Sequence, residues 1–438
     1  MITFDNILPE VAKILRSHAD ALAKIDSVVV NRDLGGRVRL IVDERLGAEP
    51  GIAETLATIA REFEKHLGSH AYPAERALLW ERDMSVARQG ATLFSFEEEE
   101  FEGVKFYVAD RLATESNWIS ISPVTKGVPR IVFFSIKGGV GRSTALAVTA
   151  WSLAQQGKRV LVLDLDLESP GLSSSLLPED RRPTYGIADW LVEDLVDNTD
   201  GVFADMTAMS SLSHDGEIFV VPAHGRDPGE YVAKLGRVWM PKVSADGARE
   251  SWSQRLLRLV EALEKRWTPD VVLIDSRAGI DEVASACITS LGATAVLLFA
   301  IDGDQTWSGY RILLQHWRTW GKVPMIRERL QHVAAMVPEL DAAVYIKAVR
   351  EHAWDLFSDE LYDEVPADSP VVEGLWSFDE PDESAPHYPL PIRWHRGFAA
   401  LVSLHERLPR LDEEQIRQVF GTFLEAIDRL ADSGREES

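Results

Sequence analysis

One stretch constrains this chain more than any other: Arg130-Ile-Val-Phe-Phe-Ser-Ile-Lys137-Gly-Gly-Val-Gly-Arg142-Ser-Thr144. Ile131 to Phe134 is an apolar run that reads as a buried strand, a glycine-rich turn follows, and Ala145 to Gln155 reads as a helix that stops near Gly157. Strand, glycine loop and helix, in that order, form a cradle for phosphate. Glycine takes the φ > 0 conformations that side chains forbid, so successive backbone N–H groups converge on one anion. The helix N-terminus adds its partial positive charge.

Two further segments end in acids. Arg159-Val-Leu-Val-Leu-Asp164-Leu-Asp166 is an apolar strand closed by two aspartates two residues apart, which places both on one side. Pro269-Asp-Val-Val-Leu-Ile-Asp275-Ser-Arg277-Ala-Gly279 repeats the pattern with one terminal carboxylate. Ligands of open α/β sheets sit at the carboxyl ends of the parallel strands, where these acids are expected.

The loop differs from a standard P-loop in two ways: Lys137 stands at its front, and Arg142 stands where the usual lysine would be. The first feature resembles the deviant Walker A ATPases of the SIMIBI class, which read K-G-G-x-G-K-[ST]-[ST]. They include the partition and division-site proteins of ParA and MinD type, the arsenite pump ATPase and the nitrogenase iron protein. The second feature resembles their KGGVGR-motif variant. The resemblance runs from 130 to about 340. It implies an α/β fold, a mostly parallel sheet with helices on both faces, and ATP with Mg²⁺ as cofactors.

The resemblance also assigns roles. Gly138, Gly139, Val140, Gly141, Arg142, Ser143 and Thr144 would hold the phosphates. Ser143 and, through water, Asp275 would hold the metal, with Asp164 close by. Asp166 would orient the attacking water. Lys137 would reach the phosphates of a facing subunit, so that two chains sandwich two nucleotides. Gly279 resembles the switch glycine whose N–H senses the terminal phosphate. Arg142 joins Lys137 and Asp166 as a catalytic candidate. Arg277 reads either as a phosphate sensor or as a salt-bridge partner, the latter favoured. The adenine contact is unassigned, because Ala334, Ala335 and Met336 stand where these families offer an asparagine.

Composition narrows the function. The chain has 438 residues and a formal net charge of −24. Such a balance argues against nucleic acid, which selects a basic surface, and against an anionic membrane; it favours protein partners. The N-terminus lacks the basic start and apolar core of a signal peptide, so a cytoplasmic location is expected. The single cysteine, Cys287, makes no internal disulfide and is too few for an iron–sulfur cluster shared across a dimer.

Residues 1–122 read as a small α+β domain of unknown role, with helical periodicity from Ile7 to Ile25 and from Ile52 to Leu67 and strands at Val28–Val30, Val38–Val42 and Val104–Ala109. Glu97 to Glu100 with Glu102 reads as a solvated acidic loop. Residues 123–129 read as a linker, and 130–438 as the ATPase domain. Within it, an acidic loop is expected near 358–384, and Pro386 to Trp394 is expected to close over the nucleotide. The last helix, from Glu413 to Leu430, carries a broad apolar face expected in the core.

Three functions remain open at this stage. One is an ATP-driven dimerisation switch acting on an unidentified protein partner. The second is a nucleotide-binding scaffold that barely hydrolyses. The third is a partition-type protein that binds nucleic acid or membrane, which the acidic charge opposes.

Overall fold

A computed structural model of the chain describes residues 2–23, 25, 28–88, 91–94, 106–114, 117–244, 246–365, 374–398, 404–408 and 413–432. It divides into two compact units, 1–115 and 116–438.

The first unit is built on a five-stranded sheet. Its strands are β1 (Val29–Arg32), β2 (Val38–Asp43), β3 (Leu78–Glu81), β4 (Thr92–Phe94) and β5 (Phe106–Asp110), in the order β3-β2-β1-β5-β4. β1 and β2 form the expected hairpin. Its turn is held by Asp33, whose Oδ1 accepts from the N–H groups of Gly35 and Arg37. Two amphipathic helices, Ile7–Ser17 and Pro50–Leu67, bury Ile7, Val11, Leu15, Leu56, Ile59 and Phe63. β3 and β4 are short and have no alternating pattern in the sequence to announce them. The acidic run at Glu97–Glu102 lies outside the described residues.

The second unit begins before the glycine-loop strand. Ser122 N–H donates to Thr289 O at 2.7 Å, Thr125 N–H to Gly292 O at 3.0 Å, and Trp317 Nε1 to Trp118 O at 2.9 Å. The stretch expected as a linker, 123–129, is thus laid along this unit. Its sheet has eight strands: β6 (Arg130–Ser135), β7 (Arg159–Asp164), β8 (Ala208–Met209), β9 (Glu217–Val221), β12 (Val271–Asp275), β13 (Ala295–Ala300), β14 (Leu330–Val337) and β15 (Leu390–Arg393). A two-residue ribbon, β10 (Lys242–Val243) with β11 (Arg249–Glu250), stands apart. The order is β15-β14-β13-β6-β12-β7-β9-β8, parallel throughout except for the β8–β9 edge.

The pleat divides the core. Val132 and Phe134 face one layer with Leu161, Leu163, Trp252, Leu256 and Trp317. Ile131 and Phe133 face the other, with helices Arg142–Gln155 and Glu413–Asp432. The sheet is therefore covered on both faces, as expected of a doubly wound α/β fold. Tyr310, Leu313, Leu314 and Trp317 of the helix Asp304–Thr319 lie in the core, with Trp320 half-buried at its end, and the apolar face of the last helix is core as well, with Ile416, Phe420, Phe423 and Ile427 buried.

Two readings change here. Pro386 to Trp394 is not a flap: it supplies edge strand β15, whose Pro391 is tolerated because an edge strand can spare an N–H. The expected acidic loop at 358–384 is only in part a loop. Ser358 to Glu360 end the helix Ala342–Glu360, and 366–373 lie outside the described residues. Trp376 and Phe378 pack their rings on Tyr362 at 5.2 and 5.5 Å. Asp363 pairs with Arg327 and Glu380 with Arg350. Asp363 and Glu380 are thus paired with half-buried arginines, which composition alone does not reveal.

Candidate functional site

The order β6-β12-β7 brings three strand ends together. β12 lies between the strand that leads into the glycine loop and the strand that carries the two aspartates. Asp275 and Asp164 are register partners on neighbouring strands. The helix Arg142–Gln155 starts directly after the loop, so its first side chains reach the same place.

The loop adopts the shape its glycines allow. Gly139 has φ +75° and Gly141 φ +82°, the left-handed region where a side chain is strained. Gly141 is the N-cap and has no side chain to satisfy the first turn, so the N–H groups of Arg142, Ser143 and Thr144 remain without intrahelical partners. A Cβ built on Gly138 or Gly139 would meet nothing within 4 Å. In front of the loop lies a cavity of about 380 Å³, lined by 138–144, Ser135, Asp166, Ser169, Arg277 and Ala278.

Arg142 does not point into the open cradle. Its buried guanidinium turns to the strand ends, with Nε donating to Asp275 Oδ1 at 2.7 Å, Nη1 to Ser135 Oγ at 3.1 Å and Nη2 to Asp166 Oδ2 at 3.3 Å. Burial works against the charged form, but Asp275, then Asp166 and Asp164, outweigh it and raise the guanidinium pKa further. Ser143 Oγ donates to the other oxygen of Asp275 at 2.6 Å. Both oxygens of that carboxylate are thus held by consecutive residues of one helix.

The remaining acids differ. Asp166 lines the cavity and accepts the Ser169 N–H at 3.2 Å. Burial raises its carboxyl pKa, with Arg142 opposing. Asp164 is fully buried and turned away, its Oδ2 accepting from Ser173 N–H at 3.1 Å and Ser173 Oγ at 2.7 Å. Burial, then the Asp275 charge, push it up to about 7. Asp164 therefore does not line the cavity. It lies against a neighbouring small void bounded by Ser173, Arg182 and His224, and its Oδ1 has no hydrogen-bond partner among the described residues.

Two other expected site residues stand apart from the cavity wall. Gly279 donates its N–H to Ser135 O at 2.9 Å, so that N–H is not presented to a phosphate. Lys137 is exposed and outside the lining, at the open front of the loop. Arg277, in contrast, lines the cavity while paired to Glu168 at 2.7 Å and Asp281 at 3.2 Å. Sequence reasoning missed Ser135 and Ser169, and it left the position of Met336 against the loop unread. The Met336 side chain lies 4.0 Å from a Cβ built on Gly141, on a backbone with φ +53°. A methionine carries no local signal for that conformation. Ser135 and Ser169 were findable as the polar residues directly after a strand and after the two-aspartate motif.

The profile of the CobQ/CobB/MinD/ParA nucleotide binding domain (CbiA) matches residues 131–371, more than half of the chain. The chain belongs to this family. As a CobQ/CobB/MinD/ParA domain it carries the ParA/MinD-type P-loop fold expected from the glycine loop.

Its curated relatives match over short segments. The cytosolic Fe-S cluster assembly factor CFD1 of Yarrowia lipolytica is 42% identical over 71 residues, 16% of this chain and 24% of that protein. The iron-sulfur cluster carrier protein of Haemophilus influenzae is 39% identical over 82 residues, 18% of this chain and 22% of that one. The chain thus spans about a quarter of the length of the curated relatives it matches. Among solved structures, a ParA family ATPase from Chlorobium tepidum aligns with 14% identity and a TM-score of 0.43, covering 68% of this chain and 98% of that one. The MinD cell division protein of Aquifex aeolicus aligns with 16% identity and a TM-score of 0.43, covering 69% and 98%.

No helix among the described residues is long and apolar enough to cross a membrane.

Proposed function

We propose that this domain binds ATP on residues 138–144, hydrolyses it slowly, and uses binding to favour a homodimer that acts on a protein partner. The observation that carries this reading is the convergence on one cavity of the glycine loop, Ser143 and the strand-end acid Asp166, with Asp275 buried behind them and bonded to Ser143 Oγ at 2.6 Å. The N–H groups of 138–144 would take the phosphates. Lys137, exposed at the front of the loop, would reach toward a facing chain. Asp166, on the cavity wall, is the candidate to orient water.

The donor set suits Mg²⁺: a hydroxyl and a carboxylate, hard oxygens that leave room for water and phosphate oxygens. Ser143 directly and Asp275 through water would hold the ion, which when bound would neutralise phosphate charge. Asp164 is left out of this set, since it is buried against Ser173.

A second reading, a scaffold that binds nucleotide with little turnover, draws on the Arg142 contact with Asp166. A carboxylate oxygen engaged by a guanidinium is not free to orient a water, which slows water attack. Arginine contacts to a transferring phosphoryl group are worth about 10³–10⁵ in rate where they are made; here the guanidinium faces the acids.

The names of the relatives raise a third possibility, iron–sulfur cargo. Cluster ligands are thiolates. The one cysteine, Cys287, is fully buried and its thiol is pushed far up by burial, so we do not extend that function to this chain.

Calorimetry of the full chain with Mg²⁺–ATP and Mg²⁺–ADP, with sizing under each, tests the proposal. Tight uptake with an ATP-dependent dimer supports the switch. Uptake with an unchanged monomer leaves the scaffold reading. No uptake of either nucleotide removes both.

A further inference from the structure

Of the described residues lining the cavity, Arg142 and Arg277 are the two cations and Asp166 the one acid. The Arg142 charge is committed. Two carboxylates hold it, and Asp275 is only 1% exposed. Arg277 is placed differently. It is held from behind by Glu168 and Asp281, neither of which lines the cavity.

Those two partners belong to different segments. Glu168 follows Asp166 in the turn after β7, and Asp281 caps the short helix Glu282–Ser285 through the Ala284 N–H at 2.8 Å. Arg277 thus ties together the two turns on either side of the cavity. The tie to Glu168 is solvent-accessible at both ends, with the side chains 32% and 43% exposed. An ion pair so exposed contributes little stability, so a stronger anion can displace it. A terminal phosphate carries more charge than a carboxylate and accepts a guanidinium fork bidentately.

The usual alternative sensor is engaged elsewhere, because the Gly279 N–H already donates to Ser135 O. We infer that Arg277 distinguishes a nucleoside triphosphate from a diphosphate in this cavity, exchanging Glu168 for the terminal phosphate and so releasing the turn that carries Asp166. Both roles weighed for Arg277 then apply in sequence: the salt bridge is the resting state and the phosphate contact is the bound state. A ligand shifts such an equilibrium only by its differential affinity for the two states. Here the difference is one phosphate.

This inference rests on the nucleotide reading above, and calorimetry on the full chain separates their failures. The probes are Mg²⁺–ATPγS and Mg²⁺–ADP, and the variants are Arg277→Gln, Arg277→Lys and Glu168→Gln. For Arg277→Gln we expect triphosphate affinity to fall about 10- to 100-fold while ADP affinity moves by less than about 3-fold. Arg277→Lys should recover part of the loss. Glu168→Gln, an exposed change that leaves the core untouched, should tighten ATPγS by about 3- to 10-fold relative to ADP, since it removes the competing carboxylate. Equal losses for both probes in Arg277→Gln, or an unchanged ratio in Glu168→Gln, would overturn the inference and leave the nucleotide site standing. A wild-type chain that takes up neither probe would overturn both.

Discussion

Arg142 Nε lies 2.7 Å from Asp275 Oδ1, both side chains buried. This pair sits where three strand ends meet, and it makes the residue that departs from the standard P-loop a structural tie between the loop helix and the sheet. Replacing Arg142 by alanine would leave Asp275 buried without its cation and Asp166 without its nearest one. Removal of one member of a buried pair costs about 3–5 kcal/mol. Denaturant unfolding of Arg142→Ala should show a loss of that order. Arg142→Lys should fall between, because a single ammonium cannot reproduce the three-way fork to Asp275, Ser135 and Asp166. A stability equal to wild type in Arg142→Ala would mean that the pair contributes nothing net.

Asp164 predicts a pH dependence. Its carboxyl is raised from 3.8 to about 7 by burial and by Asp275. Between those values the folded chain holds a proton that the unfolded chain has released. Stability therefore falls as pH rises through this window and levels off above about 7. The whole penalty is about 4 kcal/mol at most. Asp164→Asn keeps an oxygen for Ser173 and removes the titration. Its stability should be flatter between pH 5 and 8 and higher than wild type at pH 8. Urea midpoints at four pH values suffice to check it, and parallel curves for the two proteins would refute the assignment.

Much of this site was readable in the chain, and the reason is local. A glycine turn between a strand and a helix and apolar strands that end in acids are patterns of a few residues, and they placed Ser143, Asp166 and Asp275 together. What was not readable depends on partners distant in sequence. The direction of Arg142 follows from the neighbourhood of β6, β12 and β7. The retreat of Asp164 follows from Ser173. The capture of the Gly279 N–H follows from the Ser135 carbonyl. Edge strand β15 escaped because its sequence, Leu390-Pro-Ile-Arg393 directly after Pro389, carries none of the β-branched alternation that announces a strand.

Gly309 supplies a test of the loop's support. A Cβ at this position would come within 2.4 Å of Ile136 Cγ2, and Ile136 precedes Lys137 at the mouth of the loop. A β-branched side chain has little freedom to withdraw. Overpacking of this kind costs about 1–3 kcal/mol, so Gly309→Ala should lower the thermal midpoint. In an Ile136→Ala background, Gly309→Ala should cost less than it does in the wild type, because the clashing methyl is gone. A double-mutant cycle with no coupling would show that the helix Asp304–Thr319 does not brace the loop.

Asp166 offers the sharpest test of the proposed cycle. In the free chain its Oδ2 meets Arg142 at 3.3 Å and its Oδ1 meets Ser169 N–H at 3.2 Å. Arg142 keeps its shorter contact to Asp275 when Asp166 is removed, so Asp166→Ala should retain most of the stability, with a loss of about 1 kcal/mol. Water attack would lose its orienting carboxylate. Nucleotide uptake should persist because the loop amides are intact. Under the switch reading, ATP then holds the variant as a dimer that does not decay, whereas the wild type returns to monomer as ATP is consumed. Light scattering coupled to sizing, followed over the time of turnover, reads this directly. A variant that binds ATP to saturation yet stays monomeric would rule out the two-chain sandwich.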